Sequence, residues 1–319
     1  MGDAGRGNEI VERKMTDPGQ KKFVVYTVLV GGYDQALQPL VVDERFDYVM
    51  FTDTEGERSV GVWQIRTFDY RNIDKTRESR FPKMHPEELL PGYEASLYID
   101  ANIQITGSWV YEQFFELYER GVEWGGRKHC DSLYDHTYLV LLDGLESKRK
   151  CLTWSHHLRN EKFPRKSLVF ENSIIFRVHT EHVRQVNCLW WELYETFTRR
   201  DQCLLSYAFW RCPDLIIDCF VPKEQSSFDY GFARFEHGKG SGKIRFPYHS
   251  YPGYVQLRLM KKYPALSRWL NDMFFSLSAC NRFVAITVVT LVSWFIFLLY
   301  APVVYFKKYF DGKRLCRQQ

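Results

Sequence analysis

The chain has 319 residues, 45% of them hydrophobic and 17% aromatic, with a formal net charge of +4. That length supports one large or two smaller α/β domains with a substantial core. The small charge excess, and the lack of any RNP, zinc-finger or helix-turn-helix signature, argue against a nucleic-acid binder.

Residues 1–22 are polar and contain glycine, a composition that predicts disorder, and no apolar h-region marks a signal peptide among them. The eight cysteines form no C-x-x-C pair or spaced framework, so they are read as reduced thiols in a reducing compartment. Phe23 to Val30 is a continuous apolar, β-branched run, the pattern of a strand buried on both faces. It ends on Gly31-Gly32-Tyr33-Asp34, where glycine lets a ligand approach the backbone closely. This is not G-x-G-x-x-G, so the dinucleotide fingerprint is absent. Asp47 to Thr52 predicts a second core strand closing on Asp53, and Trp63 to Phe68 a third.

Arg71 to Met84 reads as a helix interrupted by Pro82. Within it, Arg77, Arg80 and Lys83 recur at spacing three, a basic face able to meet phosphate oxygens. Ala95 to Ile99 is a short buried strand that stops on Asp100-Ala101-Asn102. Two hard oxygen ligands at a strand end suit Mg²⁺ or Mn²⁺ carrying a diphosphate. Strands alternating with helices from 23 to 105 imply a mostly parallel sheet with right-handed crossovers. In such sheets ligands sit beyond the carboxyl ends of the strands, where Gly31–Asp34, Asp53 and Asp100–Asn102 all fall.

Ser108 to Arg120 predicts a core-packed helix with Ser108 as N-cap. Lys128-His129-Cys130-Asp131 precedes a second helix expected over 131–144. His156-His157 reads as a solvent-facing pair. Glu171-Asn172 interrupts an otherwise apolar stretch, and burying both unpartnered would cost several kcal/mol; they satisfy a turn or face a substrate hydroxyl. Glu181 to Thr198 is amphipathic. Arg199-Arg200-Asp201-Gln202 follows, with Asp201 either capping the next helix or pointing into a crevice beside Gln202. His237 to Lys243 is glycine-rich but fails the P-loop pattern, which needs Gly where His237 stands and Ser/Thr where Ile244 stands. His249, just beyond, is a candidate third metal ligand.

Phe283 to Phe306 carries no formal charge and is long enough to cross a bilayer. The expectation is a single-pass C-terminal membrane anchor over 283–306, preceded by a juxtamembrane helical segment at 251–282. A basic tail at 307–319 follows, and the main domain is expected to face the cytosol. Basic residues flank the span on both sides, so charge does not set its orientation.

Taken in order, YTVLVGGYD (26–34), YVMFTD (48–53), R-x-x-R-x-x-K (77–83), LPGYEASLYIDANI (90–103), ENSIIFR (171–177), Trp190-Trp191 and RRDQ (199–202) resemble a known family. It is the glycosyltransferase-like domain family of plant cell-wall and mucilage proteins and bacterial polysaccharide loci, formerly a domain of unknown function. The resemblance runs from about Phe23 to Trp210 and implies a GT-A-like, Rossmann-type α/β domain, expected over 23–250, that transfers a sugar from a nucleotide donor to a glycan or glycolipid acceptor. By position, Thr27, Gly31, Gly32, Asp34 and Asp53 would line the donor nucleotide, and Arg77, Arg80 and Lys83 its diphosphate. Asp100 and Asn102 would stand at the D-x-D metal motif. The amide at 102 compensates a cation's charge less well, so the metal would be weakly held or absent. Glu171, Asp201 and Gln202 would form the catalytic set on the acceptor side, with His129, Asn172 and Arg200 as acceptor contacts. A second reading is a non-catalytic, membrane-anchored sugar- or nucleotide-binding protein on a degenerate transferase fold.

Overall fold

A computed structural model of the chain describes residues 21–32, 34–35, 37–56, 58–142, 145–220 and 231–235, together with Trp269, Leu291 and Phe295. The expectations for residues 1–20, the glycine-rich loop, His249, and the 251–282, 283–306 and 307–319 segments lie outside the described residues, those three positions apart. Among the described residues, no helix is long and apolar enough to cross a membrane. The chain divides into two compact units. The first comprises Met1–Gly125, Ile175–Arg184 and Val221–His237, and the second Gly126–Ile174, Gln185–Phe220 and Gly238–Gln319.

The sheet of the first unit contains β1 (Phe23–Leu29), β2 (Phe46–Thr52), β3 (Ser59–Val60), β4 (Trp63–Arg66) and β5 (Ala95–Ile99), in the order β3-β4-β2-β1-β5. β1 pairs in parallel with both β2 and β5, and β2 with β4; the short β3 alone in this set runs antiparallel. The chain therefore winds outward from β1 through β2 to β4, then returns to the other side of β1 as β5. The strand order reverses between β1 and β5, the position at which open α/β sheets form a crevice.

The predominantly apolar runs of β1, β2 and β5 follow from cover on both faces. Tyr26, Phe51 and Tyr98 point to the side of α1 (Lys75–Met84), where Phe51 meets Phe68 and Phe68 meets Phe81. On the opposite face, Phe23 and Phe46 meet Phe114 and Phe115 of α3 (Trp109–Glu119), with ring centroids 4.8–5.5 Å apart. Each such ring, once buried, contributes about 2 kcal/mol, and edge-to-face contact adds to that.

Two local expectations change here. α1 begins on Asp74, whose carboxylate accepts the Thr76 N–H at 3.1 Å. It then runs through Pro82 to Met84 rather than stopping at the proline. Pro82 sits in the last turn, where the lost bond to Glu78 is tolerated and the His85 N–H closes the turn on the Phe81 carbonyl. Phe81 stacks on both Tyr70 and His85, which holds that turn in place. A short helix, α2 (Pro86–Leu89), follows. Ser108 precedes α3 but does not cap it with its side chain; its hydroxyl donates instead to Glu112 Oε1 at 2.6 Å. β6 (Ile103–Ile105) pairs antiparallel with β10 (Phe232–Arg234).

β7 (Trp124–Cys130) and β8 (Val169–Val178) each pass from one unit into the other. In the second unit the order is β8-β7-β9, with β9 at Ile217–Cys219. Around them lie α4 (Leu133–Leu142), α5 (Lys148–Asn160), α6 (Glu181–Thr196), a 3₁₀ turn at Asp201–Cys203 and α7 (Leu205–Arg211). Trp154, Trp190 and Tyr207 are fully buried at its centre. The strand at Trp124–Cys130 is not evident from its glycines, and β8 continues straight through Glu171-Asn172 instead of turning there. His156-His157 lies on α5, and His157 is not solvent-facing: its ring sits among Trp154, Phe197 and Tyr207.

Candidate active site

At the switch point of the first unit, β1 opens into Gly31 and Gly32, both at positive φ (+72° and +61°) that non-glycine residues adopt only with strain. The Gly31 N–H is held by the Asp53 carboxylate at 3.1 and 3.2 Å. Lys75 Nζ binds the same carboxylate at 3.0 Å and Glu78 at 2.9 Å. Burial alone would raise the Asp53 pKa, but the bonds from Lys75 and Gly31 outweigh it and hold the carboxyl below its usual range. Asp53 therefore acts as a strut that fixes the glycine turn. Asp34 is half-buried just beyond the turn.

Beneath this turn lies an apolar slot lined by Thr27, Leu37, Met50, Trp63, Ile99 and Ile103, among others. Thr27 is buried, and its hydroxyl has no hydrogen-bond partner among the described residues. Gln35 is the other polar residue that lines the slot.

Across the switch point, β5 ends on Asp100. Tyr98 Oη donates to Asp100 Oδ1 at 2.7 Å, and Lys83 Nζ stands 3.5 Å from the same oxygen. Lys83 is 1% exposed and also lies over the Tyr98 ring at 4.8 Å. Its backbone carbonyl accepts from Tyr26 Oη, which in turn accepts from Arg177, a fully buried guanidinium packed over Trp124. Burial raises the phenol pKa of both Tyr26 and Tyr98, so both remain donors. The basic face expected from the sequence is thus divided. Lys83 is buried in a fixed network, while Arg77 and Arg80 are half-buried.

Asn102 is clamped. Its side-chain Nδ2 donates to the Phe235 carbonyl at 2.8 Å, and its backbone carbonyl accepts the Phe235 N–H. What remains for a divalent cation is Asp100 Oδ2 and Asn102 Oδ1, a set that fits Mg²⁺ or Mn²⁺ only when phosphate oxygens and water complete the shell. His249, the expected third ligand, lies outside the described residues.

In the second unit, Glu171 is ion-paired with Arg127 at 3.0 Å and accepts from Ser173 at 3.3 Å. Asn172 is 5% exposed, and neither atom of its amide has a hydrogen-bond partner among the described residues. The Arg200-Asp201-Gln202 turn is held by backbone carbonyls. Trp190 Nε1 donates to Asp201 O, and Trp154 Nε1 to Cys203 O, both at 2.9 Å. Glu146 fixes the approach, accepting from Thr198 Oγ1 and the Arg199 N–H at 2.9 Å each. Asp201 belongs to the 3₁₀ turn and is not the N-cap of α7, where Leu204 stands. Arg127, Glu146 and Trp154 were not singled out in the sequence as site residues.

Residues 148–230 match the TOD1/MUCI70 glycosyltransferase-like domain. This is the glycosyltransferase-like family that the sequence motifs resemble. Glu171, Asn172, Arg200, Asp201 and Gln202 fall inside the matched stretch, whereas Gly31, Lys83, Asp100 and Asn102 lie before it. Two solved structures align at low identity. One is core-mannan synthase A (CmsA/Ktr4) from Aspergillus fumigatus in its Mn/GDP form, at 10% identity over 65% of this chain and 75% of that one, with a TM-score of 0.37. The other is apo mouse xyloside xylosyltransferase 1, at 9% identity over 63% and 84%, with a TM-score of 0.36. Likeness at that level bears on neither substrate nor mechanism. No curated protein matches the chain.

His129 stands on β7 beside Cys130, and His136 on the first turn of α4. Burial pulls the His136 pKa down to about 3 and pushes the Cys130 thiol up to about 11. The expected acceptor role of His129 gains no support from these neighbours.

Proposed function

We propose that the protein is a glycosyltransferase on a GT-A-like fold, moving a sugar from a nucleotide-sugar donor to a glycan or lipid-linked acceptor. The observation that carries this reading is the β1/β5 switch point. There a glycine turn, an apolar slot with one buried hydroxyl, and the Lys83–Asp100–Tyr98 cluster stand at adjacent strand ends. The open Gly31-Gly32 backbone suits close approach of phosphate, and Arg77 and Arg80 supply charge for it. A divalent cation bound between Asp100 and the diphosphate would neutralise charge on the leaving group.

In the reaction, the acceptor hydroxyl oxygen forms a bond to the anomeric carbon. The bond from that carbon to the diphosphate breaks, and the nucleoside diphosphate departs with the electron pair. The acceptor's proton passes to a carboxylate, assigned to Asp201, with Glu171 held by Arg127 as a structural partner. Stabilising the departing charge with fixed cations is where most of the rate enhancement would arise. We assign the apolar 283–306 segment as a membrane anchor that keeps the domain near a lipid-linked acceptor.

The test is turnover of a panel of UDP- and GDP-sugars by the full chain, with and without Mn²⁺. Release of nucleoside diphosphate that depends on acceptor supports transfer. Tight donor binding with no turnover favours the non-catalytic reading, which the clamped Asn102 amide supports. Absence of both binding and turnover across the panel removes the donor site from the switch point.

A further inference from the structure

His136 is 6% exposed, and neither of its ring nitrogens has a hydrogen-bond partner among the described residues. Other imidazoles of this chain behave differently: half-buried His179 pairs with Ser96 Oγ at 2.9 Å, and buried His85 with the Phe81 carbonyl at 3.0 Å. Leaving a buried imidazole nitrogen unpaired costs on the order of 1–3 kcal/mol. The local fold holds it there. Ser132 Oγ accepts the Asp135 N–H, Ser167 Oγ accepts the Leu133 N–H, and the His136 N–H bonds to the Ser132 carbonyl, fixing the first turn of α4.

The ring is not alone. The ligating atoms of His129, Cys130 and His136 all lie within 4.8 Å of one another. The two imidazoles meet edge to face at 5.0 Å, and Cys130 Sγ donates to the Ser132 carbonyl at a long 3.5 Å. Two nitrogens and one sulfur are the ligand types zinc prefers, whereas Mg²⁺ and Mn²⁺ prefer oxygen. In a tetrahedral zinc site, ligand atoms stand about 3.5 Å apart, so small rotations of His129 and Cys130 would close the set. The charged groups facing His136 are Arg200 and Asp201, of opposite sign, and a Cys130 thiolate would add the negative charge a dication needs.

We propose that His129, Cys130 and His136 form a zinc-type metal site, separate from the diphosphate position at Asp100, that clasps the end of β7 to the start of α4. On binding, Cys130 gives up its thiol proton to solvent, its sulfur and the two imidazole nitrogens form three metal bonds, and water takes the fourth position. Nothing in the clasp depends on which sugar, if any, the protein transfers.

The test uses the full chain, stripped with chelator and titrated with Co²⁺, whose tetrahedral thiolate complexes give a near-ultraviolet charge-transfer band and visible d–d bands. The expected result is saturation at one equivalent, with both band sets displaced by Zn²⁺. Cys130→Ser should abolish the charge-transfer band, His129→Ala, at an exposed position, should weaken binding roughly tenfold or more, and Asp100→Asn should leave the bands unchanged. Zn²⁺ should also raise the melting temperature of the wild type and not of Cys130→Ser. No charge-transfer band in the wild type, or a band that survives Cys130→Ser, overturns the site. So does a band lost in Asp100→Asn.

Discussion

Lys83 Nζ lies 3.5 Å from Asp100 Oδ1, buried beneath the end of β5. The lysine was read in the sequence as a phosphate contact and the aspartate as a metal ligand; in the structure each is the other's partner. One oxygen of Asp100 is thus already compensated by a fixed cation and by Tyr98, and under the proposed function Oδ2 would be the oxygen offered to a ligand. Asp100→Asn should lower donor turnover by roughly a hundredfold, the scale of removing one electrostatic contact to a transition state. It should leave the circular dichroism spectrum unchanged. Lys83→Met should instead weaken the fold, because it leaves the partly buried Asp100 with one donor fewer, by about 1–2 kcal/mol after allowing for solvent at the carboxylate. Urea denaturation of both variants separates the two roles: equal stability losses would show that Asp100 is structural.

Gly31 and Gly32 share a positive φ but differ in surroundings. A Cβ on Gly31 would stand 3.2 Å from Lys75 Cγ, whereas one on Gly32 would meet nothing within 4 Å. Each alanine substitution should cost about 1–2 kcal/mol in backbone strain. Gly31→Ala should do more. By pushing Lys75 it disturbs the Lys75–Asp53 pair that holds the turn, so donor affinity should fall further than in Gly32→Ala. Isothermal titration with a nucleoside diphosphate reads the difference, and matched affinities would remove Asp53 from its supporting role.

How far the sequence discloses this arrangement varies with the distance between partners. β1, β2 and β5 were legible because burial on both faces leaves predominantly apolar runs, and their polar ends follow directly. β7 was not, since Gly125 and Gly126 weaken any strand pattern. Gly126 is required by packing, as a Cβ there would sit 3.1 Å from Phe170 Cδ1. The Arg177–Tyr26 bond joins residues 151 positions apart. Nothing local in ENSIIFR marks its arginine as the base of the Lys83 network. The clamping of Asn102 by Phe235 is hidden for the same reason; it ties the start of β6 to the end of β10 and leaves Oδ1 as the side-chain oxygen outside the clamp.

His179 provides a pH readout of the first unit. Burial, aided by the charge of Arg177, lowers its pKa from the usual 6.5 to about 3. The folded state therefore keeps the ring neutral while the unfolded chain takes up a proton below pH 6.5. Its contribution is complete above that value and is lost as pH falls from 6.5 toward 3, at up to ~1.4 kcal/mol per pH unit. Between pH 6.5 and 5, before most carboxylates titrate, wild-type stability should drop by roughly 2 kcal/mol more than that of His179→Gln. The amide can still bond Ser96 without titrating. Parallel pH profiles of the two proteins would place the ring in water instead.

Trp190 allows the Arg200–Gln202 turn to be tested without touching its side chains. The indole is fully buried, and its N–H is given to the Asp201 carbonyl at 2.9 Å. Trp190→Phe keeps most of the apolar volume and removes that donor, leaving a carbonyl with one bond fewer, at about 1 kcal/mol. Trp154→Phe, which frees the Cys203 carbonyl two residues on, should cost a similar amount. If Asp201 takes the acceptor's proton, its position matters more than its presence in the fold. Loss of the Trp190 bond should then lower kcat severalfold with little change in donor KM, and lower it more than Trp154→Phe does at equal stability. Equal kcat in the two variants would make the turn a packing element and return the catalytic assignment to Glu171.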